Sequence, residues 1–262
     1  MTCKARHVFL YIFSNKNKEH MRWQGGRQST NVNDRRGIGG PVAVGGGIVG
    51  VIVLVLNFLL GGDTDMSQLP MPGGQTTQQS PEQKAAQDEQ AQFVSTVLAY
   101  TEDVWKDVFP KQTGSAYDEP ALNIFSGSTQ SACGGATSQS GPFYCPADGD
   151  VYIDLSFYND LQTRFGAPGD FAMAYVIAHE VGHHIQNLLG TSSQVAQMRG
   201  RVSQEEYNQY SVRLELQADF YAGVWAHHMR NKKNTQGLDV LEQGDYEEAM
   251  NAANAIGDDR LQ

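Results

Sequence analysis

An α+β domain, with helices packed on a small sheet and led by one transmembrane helix, is the architecture the sequence predicts. Three observations carry it. Four stretches show helix punctuation around apolar periodicity, two short runs rich in branched residues are bounded by turn residues, and residues 41–60 contain no charge at all. A chain of 262 residues that is 40% hydrophobic holds one sizeable domain plus appendages.

The basic N-terminus comes first. The formal charge of -10 divides into +6 over residues 1–40 and -16 over the rest. Pro41 to Leu60, PVAVGGGIVGVIVLVLNFLL, is long enough to span a bilayer as a helix. Arg22, Arg27, Arg35 and Arg36 precede it and Asp63 and Asp65 follow, so the positive-inside rule predicts a cytoplasmic N-terminus with everything after Gly61 exported. The expected divisions are a cytoplasmic segment 1–40, a span 41–60, a flexible Gly/Pro/Gln/Thr linker 61–80 and a domain 81–262. Residues 1–20 read as an upstream extension ahead of Met21. The excess of acid in the exported part would repel phosphates, which argues against a nucleic-acid partner.

Within the exported part, Ser80 with Pro81 and Gln83 spells a capping box that opens a helix, expected to close at Pro110. Leu122 to Phe125 and Val151 to Leu155 are the predicted strands, the second with a free backbone edge beside a cleft or as an ordinary sheet strand. Cys133 and Cys145 flank a Gly/Ser-rich loop. A disulfide is the expected pairing, worth about 3 kcal/mol by loop entropy, and the competing zinc pair lacks a C-x-x-C or a nearby histidine.

Phe171 to Gly190 follows Asp170 as expected N-cap, and it is apolar on most sides, the signature of a central core helix. It contains H-E-x-x-H. His179 and His183 share a face four residues apart, so their imidazoles can reach one ion together, and Glu180 is offset by about a hundred degrees, where a general base toward a water on that ion belongs. The eight uncharged residues before His179 are too few to cross a membrane. His184 points elsewhere and is expected at the surface or in a second layer.

Ser203 opens a further helix to about Arg230 that carries RLELQADFYAGVW. Glu215 and Asp219 share a face there, with Leu214, Leu216, Ala218, Phe220 and Val224 expected to crowd them. Two histidines and one glutamate are an established set for catalytic zinc, which makes Glu215 the candidate third ligand and Asp219 the acceptor for a ligand histidine N–H. His227 and His228 read as surface residues of the helix end. A last helix is expected from Tyr246 to Ile256.

With H-E-x-x-H followed by E-x-x-x-D, the chain resembles the gluzincin zinc peptidases. More closely it resembles the bacterial putative neutral zinc metallopeptidase family, through MRWQGGRQSTNVNDRRG, GPFYCPADGDVYIDLSFY, AYVIAHEVGHHIQ, LELQADFYAGVW and AIGDDRLQ. That resemblance covers most of the chain. It implies a zincin-like fold, zinc on His179, His183 and Glu215, Glu180 as catalytic carboxylate, peptide or protein substrates and residence in the bacterial inner membrane. Members usually carry a cysteine where Phe220 stands and continue past DDRLQ. Tyr152, Tyr158 and His184 are the candidates for a second oxyanion donor. The competing class is a non-catalytic, zinc-stabilised envelope adaptor.

Overall fold

The computed structural model describes residues 21–36 and 80–256. Six strands and six helices follow in the order β1 (Val32–Asp34), α1 (Pro81–Thr113), β2 (Leu122–Phe125), β3 (Ser128–Ser131), β4 (Gly134–Thr137), β5 (Phe143–Cys145), β6 (Asp150–Asp154), α2 (Phe157–Thr163), α3 (Asp170–Leu188), α4 (Thr191–Ala196), α5 (Gln204–Met229) and α6 (Asp245–Ile256). The α+β expectation is met, with α3 at the centre and α1, α5 and α6 packed round it. Among the described residues no helix is long and apolar enough to cross a membrane, and the span expected at 41–60 and the linker after it, to residue 79, lie outside them.

The main sheet has the order β1-β2-β6-β5, with β1, β2 and β6 parallel and β5 antiparallel to β6. All four residues of β2 are buried, as befits a strand paired on both edges. The second predicted strand, β6, is also paired on both sides, so it has no free backbone edge. That position belongs to β5, too short and too irregular a run to read as a strand from sequence.

Helix α1 starts as its capping box dictates: Gln83 N–H donates to Ser80 Oγ at 3.2 Å, and Ser80 N–H donates to Gln83 Oε1 at 2.9 Å. It does not stop at Pro110. Proline forfeits one backbone bond, and so near the end the loss is tolerated until Gly114, at φ 74°, turns the chain and donates its N–H to Pro110 O at 2.9 Å. Helix α3 also departs from its expected start. Asp170 is its first residue, not its cap, and the Phe171 N–H donates to Glu248 Oε2 at 3.1 Å. The acid at this N-terminus comes from α6, where no local reading would look for it.

The division at residue 81 needs correction. Residues 21–36, assigned to a separate cytoplasmic segment, are part of the same fold. Met21 and Trp23 are buried in the main core, and Trp23 meets Phe93 edge-on at 5.5 Å. Strand β1 adds to β2, and Arg22 N–H donates to Val240 O at 2.8 Å. A composition shift marks where charge changes sign, which is not where packing ends.

Cys133 and Cys145 form the expected disulfide, joining the β3–β4 turn to the last residue of β5. Cys133→Ser/Cys145→Ser, or reduction, is expected to cost about 3 kcal/mol and to lower the melting temperature by roughly 5–10 °C, checked by thermal melts with and without reductant.

Candidate metal centre

The first two donors owe their pairing to helix geometry alone. His179 and His183 lie one turn apart on α3 with ring centroids 4.8 Å apart. The third arrives because α5 crosses α3 at unusually close range. Gly182 faces the Ala218 backbone, and a Cβ there would sit 2.7 Å from Ala218 O and 3.0 Å from its Cα. Glu215, one turn before Asp219 on α5, thereby reaches both rings. Its Oε2 is 3.3 Å from His179 Nε2 and 3.4 Å from His183 Nε2.

Those spacings are what a tetrahedral ion demands. Zinc bonds of 2.0–2.1 Å at the tetrahedral angle put neighbouring donor atoms about 3.3 Å apart. Among the described residues, His179, His183 and Glu215 form the group whose donor atoms all lie within 4.8 Å of one another. The other ring nitrogens are occupied in the way metal ligands require. His179 Nδ1 bonds Asp219 Oδ1 at 2.7 Å, and His183 Nδ1 bonds Gln186 Oε1 at 2.9 Å. Both contacts leave Nε2 facing the common point, with acceptors that hold the rings in the correct tautomer.

Asp219 thus stands where the sequence places it, and two further supports were missed. Gln186 is fully buried, and its amide nitrogen donates to Leu214 O at 2.6 Å and to Gln217 Oε1 at 3.1 Å, tying His183 to α5. Tyr175 donates its hydroxyl to Asp219. Helix spacing could have found both, since Gln186 is three residues after His183 and Tyr175 four before His179. The expected crowding round Glu215 is only partial, because Leu216 and Phe220 are 61% and 64% exposed.

The three proposed oxyanion donors are engaged elsewhere. Tyr152 donates to Asp148 Oδ2 at 2.8 Å, and Tyr158 donates to Asp170. His184 is buried and donates from Nε2 to Asp118 O at 2.7 Å, while Nδ1 receives the Tyr144 hydroxyl at 3.1 Å. Burial, only partly offset by the Asp118 carbonyl, lowers its pKa and keeps it neutral. None of the three lines the cleft. His184 instead fastens Tyr144, and with it β5, to α3.

The charges converge on the same point. Burial alone would depress His179, yet its bonds to Asp219 and Glu215 and the charge of Glu180 raise it to about 10. His183 is raised too, against burial, by Glu215 and Glu180. Burial works to raise Glu215, and the two imidazoles override it, holding it at about 2. Without a metal the acids therefore keep His179 protonated at neutral pH, and zinc must displace that proton. Zinc affinity is expected to rise with pH between about 6 and 10, with roughly one to two protons released per ion, as read by calorimetry at fixed pH in buffers of different ionisation enthalpy.

Glu180 is buried and borders the same cleft of about 550 Å³. Phe143 and Tyr144 of β5 form one wall, and Phe157, Phe165 and Val176 supply apolar surface beyond the metal group.

Comparison with known proteins accords with this geometry. The family described as "Putative neutral zinc metallopeptidase" matches residues 21–262. The chain belongs to that family. The uncharacterized protein YpfJ of Escherichia coli (strain K12) is 50% identical over 252 residues, covering 92% of this chain and 85% of that protein. The uncharacterized protein Rv2575 of Mycobacterium tuberculosis (strain H37Rv) is 44% identical over 165 residues, covering 61% of this chain and 53% of that protein. No solved structure matches. The match begins at Met21, where the described fold also begins.

Proposed function

We propose that the protein is a zinc-dependent peptidase that hydrolyses peptide bonds in extended protein segments, working outside the cytoplasm. The observation that carries this is Glu215 Oε2 at 3.3 and 3.4 Å from the Nε2 atoms of His179 and His183, with a buried carboxylate, Glu180, on the same cleft. Zinc held by these three residues would supply Lewis-acid polarisation of a carbonyl and a water of lowered pKa.

The chain's own groups do the rest. Glu180 takes the proton from the attacking water and delivers it to the leaving amine, a shuttle that needs one carboxylate fixed in place, and its position on α3 beside His179 fixes it. Asp219 and Gln186 stop the imidazoles from rotating while charge develops. Strand β5 is the end strand of the described sheet and borders the cleft, so an extended substrate could add along its outer edge, which favours unfolded protein over compact domains. The Cys133–Cys145 bond supports an oxidising compartment.

The test is digestion of a denatured protein by purified chain, with metal content measured in parallel. Chelation is expected to abolish cleavage and stoichiometric zinc to restore it. A zinc-loaded, folded chain that cuts nothing would instead favour the adaptor reading.

A further inference from the structure

We infer that His184 and Asn187 are positioning residues for the substrate backbone. By holding the Tyr144 hydroxyl they fix the middle residue of β5, whose N–H and C=O face the outer edge, and so set the register of an extended segment beside the metal group. This rests on the peptidase reading and assigns it residues outside the metal donors. Paired residues of antiparallel strands either exchange both backbone bonds or exchange none. Tyr144 is paired with Val151, and Val151 sits opposite Leu122 and spends its N–H on Ala121 O at 2.8 Å. The backbone groups of Val151 are therefore turned to β2, and those of Tyr144 turn the other way, to the outer edge. Phe143, one residue earlier, is turned inward to Tyr152, and their rings stack at 4.9 Å on the opposite face of the sheet from the Tyr144 ring.

The side chain of Tyr144 is held from α3. Its hydroxyl donates to His184 Nδ1 at 3.1 Å and accepts from Asn187 Nδ2 at 2.9 Å. His184 is itself fixed, because Nε2 donates to Asp118 O at 2.7 Å and the buried ring meets Tyr117 and Tyr144 edge-on at 5.9 and 5.5 Å. Glu180, His184 and Asn187 stand at i, i+4 and i+7, so they share one face of α3, about a quarter-turn from the two imidazoles. One rigid helix thus carries the metal pair on one face and, on the next, Glu180 in line with the clamp on Tyr144. Glu180 and Tyr144 both border the cleft. A substrate residue that exchanges both bonds with Tyr144 is held at a set distance from Glu180 and from the metal donors. Such contacts use backbone atoms alone, so they read an extended conformation and not a side chain. Proline, which lacks the N–H, is refused at the position that pairs with Tyr144.

The purified, zinc-loaded full chain is given fluorescein-labelled oxidised insulin B chain. Cleavage kinetics supply KM and kcat, and anisotropy in the Glu180→Gln background supplies Kd. Tyr144→Phe and Asn187→Leu are each expected to raise KM and Kd about 5–10-fold, with kcat within about 2-fold and zinc content unchanged. Adding Asn187→Leu to Tyr144→Phe should cost nothing further, because both remove the same hydrogen bond. Unchanged KM and Kd in both single variants, additive losses in the double variant, loss of zinc, or a B chain neither bound nor cut would each overturn the inference. A wild-type chain that binds the B chain without cutting it removes the peptidase reading alone, since the Kd ratios still decide whether the clamp seats an extended segment.

Discussion

Glu180→Gln is expected to leave zinc bound at the wild-type stoichiometry while hydrolysis of a denatured protein falls by about 10³-fold, within the range for loss of a general base. The separation follows from the geometry. The candidate donor atoms belong to His179, His183 and Glu215, with Glu215 Oε2 3.3 and 3.4 Å from the two imidazole Nε2 atoms, and Glu180 is not among them. Glutamine fills the same buried volume and keeps a polar end group, so the fold should persist, but it cannot take up a proton. Zinc content and initial rates on the same preparations check this. Unimpaired cleavage by the zinc-loaded variant would show that Glu180 is not the base.

Gly182→Val is expected to cost at least 100-fold in zinc affinity, although residue 182 touches no metal donor. The Cβ alone would lie 2.7 Å from Ala218 O, about 0.7 Å inside ordinary contact, and the rest of the valine adds to that. Relief requires α3 and α5 to move apart by roughly half an ångström or more, whereas metal–donor distances tolerate about 0.2 Å. Overpacking itself costs about 1–3 kcal/mol, so the domain should still fold, and calorimetric zinc titration beside a thermal melt separates the two effects. Gly223→Ala, where an added Cβ meets nothing within 4 Å, is the matched control on α5 and should leave affinity unchanged.

These two expectations mark the line between what could be read along the chain and what could not. The ligand set was legible because helical spacing of four is a local rule: it pairs His179 with His183 and Glu215 with Asp219 before any fold is known. The capping box at Ser80 is likewise local, and it stands where expected. Gln186 and Tyr175 obeyed the same rule and were passed over because an amide and a phenol suggest no metal. The acid that meets the start of α3 was unreadable, since Glu248 comes from a helix 77 residues later.

Composition misled at the N-terminus for a related reason. Hydropathy and charge describe what a segment would do alone, and residues 21–36 are not alone. Arg22 pairs with Glu242 and Arg27 with Glu102 and Asp103, and their strand exists only because β2 offers it an edge. The edge strand β5 is similar: three residues that qualify through β6 on one side and a disulfide at one end.

The sequence by itself determined which side chains could bind an ion and which could move a proton, because those properties belong to residue types at fixed helical intervals. Only the tertiary structure decided that the two helices meet at Gly182 and Ala218, that β5 borders the cleft, and that the N-terminal strand belongs to the domain. Each of those is a contact between distant residues, and its strength comes from burial and complementary shape that exist only once the chain has folded.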